Sequence, residues 1–157
     1  MEITKRAKDY VYFSTSFKRY YPKVYNELTK ILSKHKVCYG ILGGTLDYWC
    51  RDYMPVQICK NTFVHIADEM RSRLESHFEV IDLELSNYHS MSWAYINMIH
   101  TQNVIIVPGA VCSTDAEALD HIKKLFPEYE GRIYQVQMQT LVKRGGALNC
   151  LSWTCTK

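Results

Sequence analysis

The segment TLDYWCRDYMP, residues 45–55, decides how the rest of this chain is interpreted. Within it, Trp49 offers an aromatic face three residues before the carboxylate of Asp52. An aromatic face combined with a carboxylate is what the binding of a planar cation requires. The preceding residues 37–42 predict a buried strand that ends at Gly43-Gly44. The segment is therefore predicted to lie on a loop leaving a strand, a common place for ligand-binding residues.

A second short segment, GGALNC at residues 145–150, sets Cys150 behind a pair of glycines. Glycines let the backbone approach a ligand closely, and a cysteine in such a backbone is suited to nucleophilic attack. Residues 147–153 predict a strand that carries Cys150. The alternative is that Cys150 is a small buried hydrophobe, as structural cysteines usually are.

The composition is that of an ordinary globular protein. The chain has 157 residues, of which 47% are hydrophobic and 22% charged, which predicts one domain with a substantial core. A net charge of +3 without basic runs predicts no nucleic-acid partner. No apolar run approaches the roughly 18 residues of a membrane span, so no membrane association is expected. The first residues form no apolar signal core, which predicts a cytoplasmic location with reduced cysteines.

A helix is predicted from Pro22 to about residue 35, and after it the pattern hairpin, helix, strand occurs twice. The spacing of about 40 residues is typical of a repeat architecture. The first copy predicts strands and a helix at residues 54–59, 62–66, 67–77 and 80–83. The second predicts them at 94–99, 104–107, 115–126 and 133–136, the helix being capped by Ser113 or Thr114. The prediction is a single α/β domain, residues 1–157, whose first ββαβ unit spans about 36–92 and whose last spans about 93–157.

Both motifs, and the units between them, resemble the agmatine deiminase and bacterial peptidylarginine deiminase family. Residues 47–55 are similar to its Asp-x-Trp-x-Arg-Asp-x-x-Pro pattern, and residues 145–150 to its Gly-Gly-x-x-(His/Asn)-Cys pattern. The stretch from Tyr95 to Pro127 is similar to the family's final unit. That family belongs to the guanidino-group-modifying superfamily, whose pentein fold sets five ββαβ units around a pseudo-fivefold axis. The resemblance implies a partial pentein, an α/β-propeller-like fold of about two units that is shortened internally.

The resemblance also implies a role for each motif residue. Cys150 would be the nucleophile, Asp52 would grip the guanidinium nitrogens and Trp49 would stack on the cation. The thiolate would add to the guanidinium carbon, expel ammonia and leave a covalent thiouronium that water hydrolyses to a ureido product. The implied partner is a small guanidino compound or an arginine-containing peptide, with no metal or cofactor. The alternatives are that Asp52 satisfies loop backbone and that Trp49 is a core residue.

The sequence departs from the family in lacking a His-x-Asp pair, which would supply the general acid/base and a second guanidinium ligand. The nearest candidate is His65-Ile66-Ala67-Asp68, which has one residue too many. The extra residue changes the direction of Asp68 relative to His65 along a strand that runs into a helix. The plainer interpretation is a surface histidine beside a helix N-cap. His89 and His100 are predicted in loops or turns, and His35, His77 and His121 on solvated parts of helices.

Two hypotheses of function remain open. The first is a deiminase-family hydrolase of guanidino groups with Cys150, Asp52 and His65 as catalytic residues and Trp49, Asp52 and Asp68 as substrate-binding residues. The second is a non-catalytic remnant that binds guanidinium ligands or serves as a protein-interaction module. A thiol hydrolase reaction of Cys150 on another amide-like substrate is a third possibility. Because about three repeats are usually needed for a stable stack, two units also predict a homo-oligomer, which sedimentation would test.

Overall fold

The computed structural model describes residues 9–43, 48–49 and 83–156. The elements predicted at 54–59, 62–66 and 67–77, and most of the strand at 80–83, lie outside these residues. The described part is a mixed α/β structure with two small three-stranded sheets. No helix in the described ranges is both long and apolar enough to cross a bilayer.

The first sheet has β1 (Asp9–Ser14) at its centre, between β2 (Cys38–Leu42) and β6 (Ser152–Thr156). β1 runs parallel to β2 and antiparallel to β6. Two helices, α1 (Thr15–Tyr20) and α2 (Pro22–Lys34), connect β1 to β2. The hydroxyl oxygen of Ser14 caps α1 by accepting the backbone N–H of Phe17 at 3.0 Å. The helix predicted from Pro22 is confirmed, with the proline in its first turn.

The second sheet has β4 (Ile105–Gly109) at its centre, between β3 (Ile99–His100) and β5 (Ile133–Gln137). β4 is antiparallel to β3 and parallel to β5, and α3 (Asp115–Leu125) connects the two parallel strands. Short helical segments flank this sheet: a 3₁₀ turn at Ser92–Ile96, another at Pro127–Tyr129, α4 (Gln139–Val142) and α5 (Leu148–Leu151).

The two sheets follow one pairing scheme. In each, a central strand is antiparallel to one neighbour and parallel to the other, and the parallel pair is joined through helix. In the second sheet the antiparallel strand β3 precedes β4 directly. In the first sheet that place is taken by β6, which comes from the other end of the described chain. Ser152 pairs with Phe13, so the residues just before β6, which include Cys150, directly precede this ladder in the chain.

Three predicted strands differ from the structure. Only Ile99 of residues 94–99 is in a strand: residues 94–96 complete a 3₁₀ turn, and the backbone carbonyl of Asn97 accepts the N–H of Asn149 and does not enter a strand ladder. The strand predicted at 37–42 is present, but it is not buried as predicted. About 40% of the surface of Tyr39 and of Ile41 is accessible to solvent, because β2 lies at the edge of its sheet in the described part of the chain. The strand predicted at 147–153 begins only at Ser152, since α5 precedes it.

Two apolar clusters form the described core. The larger one is formed by residues of both sheets and of α1, α2, α4 and α5, with Phe13, Phe17 and Leu28 completely buried. It also contains Leu148 and Leu151, which flank Cys150 and are equally inaccessible to solvent. The smaller cluster fills the space beneath α3. Burial of both leucines of α5 anchors the short helical turn from its apolar side.

Asp115, at the first position of α3, fixes the loop that leaves β4. One carboxylate oxygen accepts the Tyr95 hydroxyl at 2.8 Å and the Ala110 N–H at 3.1 Å, and the other accepts Val111 N–H at 3.0 Å and Gln137 Nε2 at 3.1 Å. Burial alone would raise the pKa of Asp115, but these hydrogen bonds outweigh it and lower the pKa. Burial also raises the pKa of Tyr95 to about 12, so its hydroxyl stays a donor. The helix is predicted to be capped by Ser113 or Thr114, and Thr114 does occupy the cap position, but without a side-chain capping bond.

Asp115→Asn is expected to lower the free energy of unfolding by about 1–3 kcal/mol at pH 7, because the new amide cannot accept from both Val111 and Gln137. The folded pKa of Asp115 lies below the unfolded value, so its stabilisation is complete above the unfolded pKa and is lost as the pH falls through the folded pKa. Urea denaturation between pH 7 and pH 2.5 would show the difference between wild type and variant shrinking in acid. Asp120→Asn, on the exposed side of the same helix, is the control and should change stability by about 0.5 kcal/mol or less. A difference that stays constant into acid would contradict this account.

Candidate active site

The cysteine-bearing turn lies at the carboxyl end of the second sheet. Asn97 lies two residues before Ile99, which pairs with Ile106 of the antiparallel strand β4. This register brings Asn97 to the end of β4, and α5 contacts β4 there. The crevice outside the carboxyl ends of parallel strands is a usual location for ligands in α/β proteins.

In the part of the chain that the structure describes, the side chain of Asn97 holds Cys150. The amide Nδ2 of Asn97 donates to Cys150 Sγ at 3.2 Å. The amide oxygen accepts the backbone N–H of Asn149 at 2.8 Å and that of Cys150 at 3.3 Å. The half-buried thiol is thus oriented by a group that also fixes the backbone under it. The amide donor directed at sulfur holds the side chain of this potential nucleophile in one orientation.

The prediction that Cys150 lies in a strand is wrong. The backbone groups of this stretch form hydrogen bonds within a helical turn and to Asn97. Leu151 N–H bonds to the carbonyl of Ala147 at 3.1 Å, and the Ser152 hydroxyl donates to the carbonyl of Leu148 at 2.8 Å. Asn97 takes the N–H groups at the start of the turn. These local bonds replace the ladder that a strand would need, and the chain extends only from Ser152 onward.

Asn97 was not among the residues singled out from the sequence. Its signal there is weak: one polar side chain within the apolar run Ile96-Asn97-Met98-Ile99. Periodicity assigns that run to a strand, where an asparagine has no evident partner. The partner lies 53 positions further along the chain, a separation that no local pattern reveals.

The two sequence motifs meet at Trp49 and Gly146. A Cβ built on Gly146 would lie 2.2 Å from two carbons of the six-membered ring of Trp49, and 2.7 Å from a third. The indole therefore rests directly on the backbone of the glycine pair, four residues before Cys150. Only a residue without a side chain permits this approach. The predicted aromatic wall and the predicted nucleophile segment are in contact.

Further aromatic rings and a guanidinium support Trp49. Tyr48 packs edge-on against Trp49 with ring centroids 4.6 Å apart, and Tyr21 packs edge-on against Tyr48 at 5.5 Å. Arg144 hydrogen-bonds to the Tyr48 side chain, which is the main reason its pKa is raised. Its guanidinium carbon lies 5.9 Å from the centre of the Tyr21 ring. The described part of the first motif is thus packed from both sides.

The other predicted site residues, Asp52, His65 and Asp68, lie outside the described residues, and their assigned roles stay predictions. Among the described histidines, His35 bonds to Tyr134 at 2.9 Å, His100 to Tyr129 at 3.1 Å and His89 to Ser113 at 3.5 Å. His35 is therefore half-buried against a tyrosine, and its predicted solvated position is wrong. Within the same residues, no group of three His, Cys, Asp or Glu side chains is placed to hold a metal ion.

A half-buried thiol oriented by an amide, four residues after a glycine on which an aromatic ring rests, defines a cysteine-centred site on an α/β scaffold. The sequence model of the Porphyromonas-type peptidyl-arginine deiminase family matches residues 61–155, more than half of the chain. The chain belongs to that family. The matched region contains Asn97, the glycine pair and Cys150, and begins after Trp49 and Asp52. No curated protein and no solved structure matches the chain.

Gly146→Ala is expected to displace Trp49, because the added methyl would lie well inside the contact distance of the indole ring. Overpacking of this kind costs about 1–3 kcal/mol in the free energy of unfolding. The change should appear in thermal denaturation and in an altered Trp49 fluorescence, assigned by comparison with Trp49→Phe. Gly43→Ala is a matched control, since a Cβ at Gly43 meets no atom within 4 Å. Equal behaviour of the two variants would contradict the contact.

Asn97→Asp is expected to slow alkylation of Cys150 by iodoacetamide about tenfold at pH 7. The variant keeps a side-chain oxygen that can accept both backbone N–H groups, but it places a negative charge where the N–H donor faced sulfur. That charge opposes the negative charge on sulfur that nucleophilic attack requires. Peptide mass spectrometry after timed labelling would measure the rate at Cys150 separately from that at Cys112. An unchanged rate at Cys150 would show that the amide does not control its reactivity.

Proposed function

We propose that this chain is a guanidino-group hydrolase of the deiminase type, with Cys150 as its nucleophile. The observation that carries the proposal is the contact between Trp49 and Gly146, which joins the cation-binding motif to the segment of the nucleophile. The family match supports the same assignment for the part of the chain that includes Cys150. An arginine-containing peptide or a small guanidino compound such as agmatine is the proposed substrate.

In the proposed reaction the Cys150 thiolate adds to the planar guanidinium carbon, forming a carbon–sulfur bond and a tetrahedral adduct. One nitrogen takes up a proton and leaves as ammonia, which regenerates a planar carbon in a thiouronium. Water then adds to that carbon, the carbon–sulfur bond breaks, and the ureido product leaves while the thiolate is restored. Asn97 stabilises the charge on sulfur at the first step and the last.

The remaining roles come from the motif resemblance. Trp49 would stack on the flat cation, and Asp52 would bind guanidinium nitrogens through paired N–H donors. His65 is proposed as the proton donor to the leaving ammonia and Asp68 as a second guanidinium ligand. A positioned acid–base group usually supplies a factor of about 10²–10⁴ in rate. The rate of this chain will therefore depend strongly on whether His65 or another histidine reaches the leaving group.

The fold proposed to carry this site is a partial pentein of about two ββαβ units. The common pairing scheme of the two described sheets supports a repeat origin. In the first sheet the antiparallel neighbour of the central strand is β6, which is remote in sequence. A short array leaves unit faces without intramolecular neighbours. Self-association to cover these faces remains a prediction from the number of units.

The second candidate function is a non-catalytic remnant that binds guanidinium ligands or another protein. It is favoured by the contacts of three histidines in the described ranges, since the hydrogen bonds of His35, His100 and His89 go to Tyr134, Tyr129 and Ser113 and not to Cys150. The sequence also contains no His-x-Asp pair. In this role Trp49 and Asp52 would bind a cation that is never turned over.

One experiment separates these candidates. The purified chain is incubated with agmatine, with free arginine and with an arginyl peptide, and ureido product is measured by colorimetry and mass spectrometry. The enzyme hypothesis predicts product from at least one substrate, and an acid-quenched protein adduct whose mass corresponds to the thiouronium. Cys150→Ala should abolish both, because the nucleophile is gone.

Cys112→Ala is the matched control, since Cys112 is also half-buried but directs its thiol at the carbonyl of Ala110. It should retain product formation within about twofold, as expected for a site outside the reacting groups. No product from any substrate, with calorimetric binding of agmatine or peptide retained, would establish the remnant. Neither product nor binding would overturn both candidates.

A further inference from the structure

The contact between the two motifs depends on a side chain outside both of them. Arg144 directly precedes the glycine pair, at the end of the turn that follows α4. Its own N–H bonds to the carbonyl of Leu141 at 2.9 Å, and Gly145 N–H bonds to the carbonyl of Val142 at 3.0 Å. Gly145 then takes a φ of +88°, which glycine adopts without strain. The same turn therefore fixes the backbone of Arg144 and positions the neighbouring backbone of Gly146, on which Trp49 packs.

From this base the guanidinium of Arg144 reaches back over the aromatic rings. It hydrogen-bonds to the Tyr48 hydroxyl and lies 5.9 Å from the centre of the Tyr21 ring. Because a guanidinium has only donors, the Tyr48 oxygen is the acceptor. Tyr48 in turn packs edge-on against Trp49, at 4.6 Å between centroids and 62° between planes. The Tyr48–Trp49 pair therefore has two separate contacts: Arg144 binds Tyr48, and the backbone of Gly146 packs against Trp49.

The contacts of Arg144 need the shape of its side chain as well as its charge. The planar guanidinium can lie near the face of Tyr21 while its edge donates to Tyr48, whereas a lysine ammonium offers a single compact charge. Arg144 is exposed, and solvent screens its charge strongly. Its removal should therefore leave global stability nearly unchanged and act on the orientation of the rings.

We infer that Arg144 is a positioning residue, which holds the Tyr48–Trp49 pair in place as the aromatic wall of the site. The part that concerns substrate rests on the proposed function, since it takes Trp49 to be the face on which a guanidinium stacks. The part that concerns Trp49 itself stands on the contacts alone. The two parts are tested by different measurements.

The first measurement is ¹⁹F NMR of protein containing 5-fluorotryptophan, with the Trp49 resonance assigned from the Trp49→Phe variant. Arg144→Gln should shift or broaden the Trp49 resonance and leave those of Trp93 and Trp153 in place. Tyr48→Phe, which removes only the hydroxyl acceptor, should change the same resonance. The double variant should add little to either single change, because both remove one hydrogen bond. Arg144→Lys should restore the wild-type position only in part.

Arg19→Gln is a closely matched control. Arg19 also lies over a tyrosine ring, 5.7 Å from the centre of the exposed Tyr20, on the helix that ends just before Tyr21. The Arg19→Gln variant also loses one positive charge near Tyr21, and it should leave the Trp49 resonance unchanged. An unchanged Trp49 resonance in Arg144→Gln, or an equal change in Arg19→Gln, overturns the inference whatever the activity of the protein.

The second measurement is binding of agmatine by calorimetry, together with product kinetics. Arg144→Gln should weaken agmatine binding about three- to tenfold while the alkylation rate of Cys150 stays within twofold of wild type. In the kinetics the loss should appear mainly in KM, since the reacting groups are untouched. If wild type neither binds nor converts agmatine while Arg144→Gln still moves the Trp49 resonance, the proposed function fails and the positioning role stands. If wild type binds agmatine and Arg144→Gln binds it equally, the role of Arg144 toward substrate fails.

Discussion

The arrangement of this site depends on the close contact between a tryptophan ring and the backbone of a glycine. Trp49 and Gly146 are almost a hundred residues apart in the chain, and no side chain separates them. Because protein interiors are close-packed, such a contact fixes the distance between two segments within a narrow range. The contact joins two segments of the site, since Gly146 leads within four residues to Cys150 and the tryptophan lies in the motif predicted to bind a cation.

The sequence predicted those features whose causes are local. The proline start of α2, the amphipathic period of α3 and the positions of β4 and β5 could be predicted, because each reflects the pattern of its own residues. The family could be predicted from two motifs, and its sequence model matches most of the region between them. The meeting of the two motifs could be expected only from the resemblance, because no rule of spacing links Trp49 to Gly146.

The features that were missed have causes remote in sequence. Asn97 and Cys150 determine each other's conformation: the asparagine leaves the predicted strand to bind the turn, and the turn forms because the asparagine takes its N–H groups. Neither departure is visible from one segment alone. His35 likewise is half-buried because Tyr134 of β5 packs on it, a contact between elements about a hundred residues apart. Tertiary partners of this kind override local propensity.

The pairing of β1 with β6 has a consequence for how the protein acquires its structure. The two strands lie about 140 residues apart, so their ladder closes a long loop. Closing a long loop costs conformational entropy before its contacts form, and contacts of high sequence separation slow folding. During synthesis Asp9–Ser14 must wait until Ser152–Thr156 has left the ribosome, and until then β1 lacks its antiparallel neighbour. The turn that carries Cys150 directly precedes β6, so its place beside the first sheet depends on a pairing that forms late.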